Sequence, residues 1–169
     1  MRMALYQPDI PQNTGAIMRT AACLGLACDV IGPTGFVMTD AKLRRAGMDY
    51  LDRLALAEHP SWQSFRDAIA AAGGAANGAG RLVLLSTAAE KSYLDFAFRA
   101  DDVLLAGSES AGVPAEVAAA CDAAVRVPIV AGARSLNVAQ ALAMVLAEAL
   151  RQTGGFPGGL PQDGREASA

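Results

Sequence analysis

Three short stretches of this sequence combine glycine with polar side chains in patterns that can serve chemistry. In the first, Asn13, Thr14 and Gly15 stand where an apolar run gives way to a helical pattern, and Arg19 follows one turn later. Gly15 and Arg19 share a helix face by their spacing. An arginine so placed can grip a phosphate through two parallel hydrogen bonds. The second stretch, LLAGSESAGVP, runs an apolar strand into Gly107, then Ser108, Glu109, Gly112 and Pro114. Glycines let a ligand approach the backbone, and Glu109 can accept hydrogen bonds or orient a neighbour. The pattern is neither G-x-G-x-x-G nor the G-K-[ST] of a phosphate loop, which excludes the two common nucleotide sites. The third stretch, VPIVAGARSLNVAQALAMVL, places Ser135 to cap the helix that follows and Asn137 in its first turn. A buried asparagine there needs a partner. Each stretch taken alone also fits an ordinary cap, a solvated arginine or a plain turn; the order and spacing of the three carry the argument.

The elements that position these stretches alternate between short apolar strands and helices. Strands are expected at Met3–Gln7, Ala27–Gly32, Leu54–Glu58, Arg81–Ser86, Asp102–Ala106 and Ala124–Ile129. Helices are expected from Asn13, as N-cap, to Leu24, from Thr39 or Asp40 to Ala46, from Ser61 to Ala72, from Pro114 to Cys121 and from Leu136 to Gln152. Trp62, Phe65 and Ile69 fall on one face of the third of these. The alternation implies an α/β fold, a mainly parallel sheet flanked by helices. Ligands in such folds sit beyond the carboxyl ends of the strands. That directs attention to the loops after Tyr6, Ser86, Ala106 and Ile129. Residues 1–153 read as one domain with a loop, GGAANGAG, at 73–80, and residues 154–169, rich in Gly and Pro, read as a disordered tail. The last helix is apolar nearly all round in its first three turns, from Leu136 and Val138 to Leu146. Such a helix is buried on more than one side, which points to a dimer interface.

Composition narrows the classes. Hydrophobic residues make up 53% and charged residues 18% of 169, enough for a substantial core. No apolar run reaches the roughly 18 residues of a membrane span, and the start MRMALYQPDIPQN is too short for a signal peptide. A cytoplasmic location is the expectation. Cys23, Cys28 and Cys121 form no disulfide framework, and each reads as a small buried hydrophobe. His59, the single histidine, precedes Pro60 and reads as loop. No Cys, His and acidic residues have metal-ligand spacing, so no metal is expected. The net charge of −3 runs against a nucleic-acid partner. Local distribution matters more than the total, and Lys42, Arg44 and Arg45 form the densest basic cluster.

N-T-G-x-x-x-R, G-S-E-S-x-G-V-P and R-S-L-N-V-A, in that order, resemble the three motifs of the SpoU–TrmD (SPOUT) superfamily. LYQPDIPQNTGAIMRTAACLG together with LRRAGMDY resembles more closely its small TrmL-type tRNA wobble-position 2′-O-methyltransferases, over about residues 3–153. The resemblance implies a deep trefoil knot in the C-terminal part of the chain and a homodimer through the first and last helices. It implies S-adenosylmethionine as cofactor, held by Leu85, Gly107, Val127, Ile129 and Ser135, with S-adenosylhomocysteine as product. Arg19 is then the candidate for activating the 2′-hydroxyl. An arginine is a poor base because it stays protonated, so the favoured role is a clamp on the 3′ phosphate and the 2′ oxygen. Asn13 and Asn137 hold the first and third loops, and Glu109 orients Arg19 or the second loop. Lys42, Arg44 and Arg45 are the expected tRNA phosphate contacts, with Tyr50 stacking on a base. The implied reaction is methylation of cytidine 34 or a modified uridine 34, in leucine tRNAs. The competing readings are a SPOUT enzyme with another tRNA or ribosomal RNA target, and an RNA-binding module without activity.

Overall fold

The apolar runs become a fully parallel sheet because they are covered on both faces. In the computed structural model, residues 1–38, 54–71 and 80–158 are described. Six strands, β1 (Arg2–Tyr6), β2 (Ala27–Ile31), β3 (Leu56–His59), β4 (Leu82–Leu85), β5 (Val103–Ala106) and β6 (Ala123–Val125), lie in the order β3-β2-β1-β5-β4-β6. Every neighbouring pair is parallel. Side chains alternate between two cores, as the period of a strand requires. Met3 and Leu5 of β1 enter one, Ala4 and Tyr6 the other. Leu104 and Ala106 of β5 are divided in the same way from Val103 and Leu105. This double burial is why the strands read as unbroken apolar runs.

Among the described residues four helices supply the cover: α1 (Pro11–Leu24), α2 (Trp62–Ala71), α3 (Ala115–Ala119) and α4 (Val138–Thr153). Ile17, Met18 and Ala21 of α1 join Leu142, Val145, Leu146, Ala149 and Leu150 of α4 over one face. Phe65 of α2 and Val117 of α3 cover the other. Tyr93–Asp95 forms a 3-10 turn between β4 and β5, with the Ser92 hydroxyl accepting from Leu94 N–H.

Several local expectations are corrected. Asn13 is not a cap: α1 starts at Pro11 after Ile10, and no side chain caps it. Pro11 supplies the helical φ and lacks the N–H that would need satisfying. Ser135 is not the cap of α4; Asn137 is, its side-chain oxygen accepting from Ala139 N–H at 2.9 Å and Gln140 N–H at 3.3 Å. β6 stops at Val125 rather than Ile129; past it Arg126 leaves β4 and makes a single parallel bridge to Ser92, bonding to the Lys91 carbonyl and the Tyr93 N–H. α4 buries one side in this chain, while Ala143, Met144 and Ala147 are exposed. After α4, Gly155 N–H bonds to the Leu150 carbonyl and Phe156 packs on the core, while residues 159–169 lie outside the described residues. The expected helix from residue 39 or 40 to 46 lies outside the described residues. Cys28 is buried, and that burial pushes its thiol up to about 12. Cys121 is half-buried, its thiol pushed up to about 11 by the same cause. Cys23 is exposed, not buried, because its place on α1 faces away from the sheet. All three are free thiols.

His59 is not loop but the last residue of β3. Its Nε2 lies 2.8 Å from Asp29 Oδ1, while Arg2 donates to both Asp29 oxygens at 2.7 and 2.8 Å. Asp29 is 1% exposed and lies in the middle of β2, between β1 and β3. Its carboxylate therefore ties the start of β1 and the end of β3 to the middle of β2. Removing it leaves Arg2 and His59 without that acceptor, and a hydrogen bond to a charged group is worth about 1.5–3 kcal/mol. Asp29→Ala is expected to lower stability by about 2–3 kcal/mol, read as a shift of the urea midpoint. An unchanged midpoint would show that the cluster contributes nothing net.

Candidate active site

Parallel pairing brings the three motifs to one edge. Leu5 of β1 pairs with Ala106 of β5, Leu85 of β4 with the same Ala106, and Val125 of β6 with Leu85. The loops after these four strands therefore leave the sheet side by side. They surround a cavity of about 790 Å³. Asn13, Leu85, Gly107, Glu109, Val127, Ile129, Ser135 and Asn137 all line it. Every expected cofactor residue is thus at one cavity, together with three of the four residues expected to act in catalysis.

The three motifs are joined there by side-chain hydrogen bonds. Asn13 donates from Nδ2 to Glu109 Oε1 at 2.9 Å. Asn137 donates from Nδ2 to Asn13 Oδ1 at 2.8 Å. The second oxygen of Glu109 accepts the Asp9 N–H at 3.1 Å. Asn13 can reach both partners because it projects from the first turn of α1 rather than closing its end. Among the described residues, no buried side-chain nitrogen or oxygen lacks a partner.

Arg19 is not among the described residues that line the cavity. It is exposed on α1, one turn beyond the buried Gly15. Lys42, Arg44, Arg45 and Tyr50 lie outside the described residues. The cavity also holds residues to which the sequence assigned no role. Ser86, Thr87 and Ala88 follow β4, and Arg126 and Arg134 bring two cations. Arg134 directly precedes Ser135 in the third motif, so its position was available from the sequence. Asp9, in the stretch QPDIPQN, bonds to the second motif loop through both carboxylate oxygens. Hydrogen bonding to the side chains of Glu109 and then Ser110 lowers its carboxyl to about 2. No group of three His, Cys, Asp or Glu able to hold a metal occurs among the described residues.

The second motif loop is drawn tight. Ser108 and Gly112 exchange backbone hydrogen bonds at 3.0 and 2.9 Å. Gly112 has φ of 68°, which favours glycine. A Cβ on Gly107 would stand 2.5–2.8 Å from the Gly112 backbone. Residue 107 therefore has no side chain so that the loop can fold back on β5.

Residues 1–147 match the SpoU rRNA Methylase family. The chain belongs to that family. A tRNA (cytidine(34)-2′-O)-methyltransferase of Beijerinckia indica subsp. indica is 55% identical over 152 residues, covering 90% of this chain and 91% of that protein. The protein of the same name in Escherichia coli (strain K12) is 34% identical over 165 residues, covering 96% and 99%. A solved structure described as giving structural insights into the 2-OH methylation of C/U34 on tRNA superposes with a TM-score of 0.80 at 40% identity, over 89% of this chain and 94% of that one. The SpoU methyltransferase AviRb of Streptomyces viridochromogenes, in complex with AdoMet, superposes with a TM-score of 0.81 at 31% identity, over 90% of this chain and 60% of its own.

The cavity of this SpoU family member suits an adenosyl group. Its volume falls in the range of small-molecule sites, and its walls are mostly small or apolar residues and loop backbone. Gly107→Ala is expected to displace the 108–112 loop and weaken binding of S-adenosylmethionine at least tenfold by calorimetry. An unchanged dissociation constant would mean that the loop does not form the cofactor wall.

Proposed function

We propose that this chain methylates the ribose 2′-hydroxyl of the tRNA wobble nucleotide, cytidine 34 or a modified uridine 34 in leucine tRNAs, with S-adenosylmethionine as donor and S-adenosylhomocysteine as product. The observation that carries this reading is the meeting of all three motif loops at one cavity through Glu109, Asn13 and Asn137. The relatives' names supply the target, and AdoMet in the complex of a structural neighbour supports the donor.

When bound, S-adenosylmethionine supplies an electrophilic methyl group, so the protein's work is orientation and electrostatics. Leu85, Gly107, Val127, Ile129 and Ser135 would hold it, with loop backbone reading the adenine. Asn13, Glu109 and Asn137 fix the loops relative to one another. Positioning two reactants is itself a large part of catalysis. Arg19 clamps the 3′ phosphate and the 2′ oxygen; it remains protonated and does not take the hydroxyl proton. Lys42, Arg44 and Arg45 hold tRNA phosphates and Tyr50 stacks on a base. Arg126 and Arg134 add positive charge at the cavity, which suits a polyanion despite the net charge of −3.

The protein is proposed to work in the cytoplasm as a homodimer through α1 and α4, with a deep trefoil knot in its C-terminal part. The exposed apolar Met144, 42% accessible, with Ala143 and Ala147, supports burial of α4 against a second copy. Exposure of Arg19 on α1, away from its own cavity lining, supports a role at the partner's cavity. The family's fold and the return of the chain from β6 through 126–137 to α4 support the knot.

Nucleoside mass spectrometry of tRNA and ribosomal RNA, with and without the gene, tests the target. Loss of the 2′-O-methyl mark at position 34 is expected; loss of a mark elsewhere would replace the proposed substrate. Arg19→Ala is expected to abolish methylation while cofactor affinity stays within about twofold. A variant that no longer binds cofactor would remove Arg19 from the catalytic role. Light scattering at micromolar concentration is expected to give about twice the subunit mass of 17.3 kDa, and a value at the subunit mass would end the dimer proposal.

A further inference from the structure

Asp9 stands outside the three motifs, yet it ties down the loop that carries Glu109. Its Oδ1 accepts the Glu109 N–H at 3.1 Å. Its Oδ2 accepts the Ser110 N–H at 3.2 Å and also the Ser110 hydroxyl. In return the Asp9 N–H donates to Glu109 Oε2 at 3.1 Å. Two adjacent residues of one loop thus exchange four hydrogen bonds with a single residue of another. The 108–112 loop is internally closed by the Ser108 and Gly112 pair. That closure fixes its shape but not its angle to the sheet. The Asp9 bonds supply a fixed point on the neighbouring loop after β1.

Asp9 is itself seated from behind. Gln7, just after β1, has φ of 45°, rare for a residue with a side chain, and turns Pro8 and Asp9 across the strand ends. Gly35 N–H bonds to the Pro8 carbonyl at 2.9 Å. A Cβ on Gly35 would stand 2.8 Å from both the Cα and the Cβ of Asp9. Neither contact atom is the free end of a flexible side chain, so any residue larger than glycine at 35 pushes Asp9 toward the loop or out of it. Gly35 does not line the cavity itself.

We propose that Asp9 is a positioning residue: braced by Gly35, it sets the angle of the 107–112 loop, from which Glu109 reaches Asn13 and the cavity wall is built. This rests on the reading of that cavity as the cofactor site. Asp9 touches neither cofactor nor RNA in this role; it acts through Glu109 and Ser110. An aspartate suits the place because both oxygens face donors. Asparagine keeps the shape but turns an NH₂ toward an N–H, and one bond becomes a repulsion.

The test uses the full chain and three readouts. Asp9→Asn and, independently, Gly35→Ala are expected to speed amide hydrogen exchange at Glu109 and Ser110 at least tenfold. Both are expected to raise the dissociation constant for S-adenosylmethionine at least fivefold, with circular dichroism and the thermal midpoint within a few degrees of wild type. KM for tRNA is expected to stay within twofold while kcat falls, because Asp9 positions the loop and not the RNA. Unchanged exchange at Glu109 and Ser110 in Asp9→Asn would overturn the proposal. So would a lowered midpoint with cofactor affinity and kcat intact, since that marks a merely structural bond. If the wild type itself fails to bind S-adenosylmethionine, the functional reading falls. The exchange rates still decide whether Asp9 holds the loop.

Discussion

The Glu109 carboxylate is the junction on which the site depends. One oxygen takes the Asn13 side chain and the other takes the Asp9 backbone. Asn13 passes the connection on to Asn137, which caps α4. Three segments distant in sequence, at residues 9–13, 109 and 137, are thereby held in one hydrogen-bonded chain. Its donors are asparagine amides and a backbone N–H, short groups that lose little freedom, while the ordering cost falls on the longer Glu109 side chain. A carboxylate with both oxygens occupied is well suited to fix two loops at once.

This junction is reachable only because the sheet is parallel and fully covered. Parallel pairing puts the carboxyl ends of β1, β4, β5 and β6 on one edge. The two cores beneath them carry the folding energy, and the loops at the edge are left free for chemistry. Helices α1 and α4 serve both purposes. One side of each seals the core, and their first turns deliver Asn13 and Asn137 to the cavity.

Charge is allotted in the same divided way. Arg2 and Arg81 are spent on the buried carboxylates Asp29 and Asp102, and Arg151 on Glu148. The first two pairs neutralise carboxylates buried within the fold, and the third is a surface pair within α4. Arg126 and Arg134 stand at the cavity instead. An acidic protein can attract a polyanion when its cations are gathered at one opening. The net charge of −3 is therefore a poor guide to the partner.

The sequence by itself determined the class of fold, because alternation of apolar strands with helical periods is a local property. It also marked the loops that meet at the cavity, since glycine, asparagine and glutamate at strand-to-helix junctions are visible in the chain. Gly107, Glu109, Val127, Ile129 and Ser135 lie in the second and third of these stretches and Leu85 was added by the family resemblance; all six line the cavity. Two helix caps were not legible. Asn13 and Ser135 look like caps locally, but Pro11 and Asn137 set the helix starts, and Asn13 is released to bond across the cavity. His59 looked like loop because its partner, Asp29, is distant in the chain and its pairing requires the sheet. Asp9 and Gly35 were invisible as functional residues for the same reason. Their significance lies in a contact between two turns that meet only once β1 and β5 are neighbours. Residue types and short spacings are written in the chain; which side chain satisfies which is decided when distant strands pair.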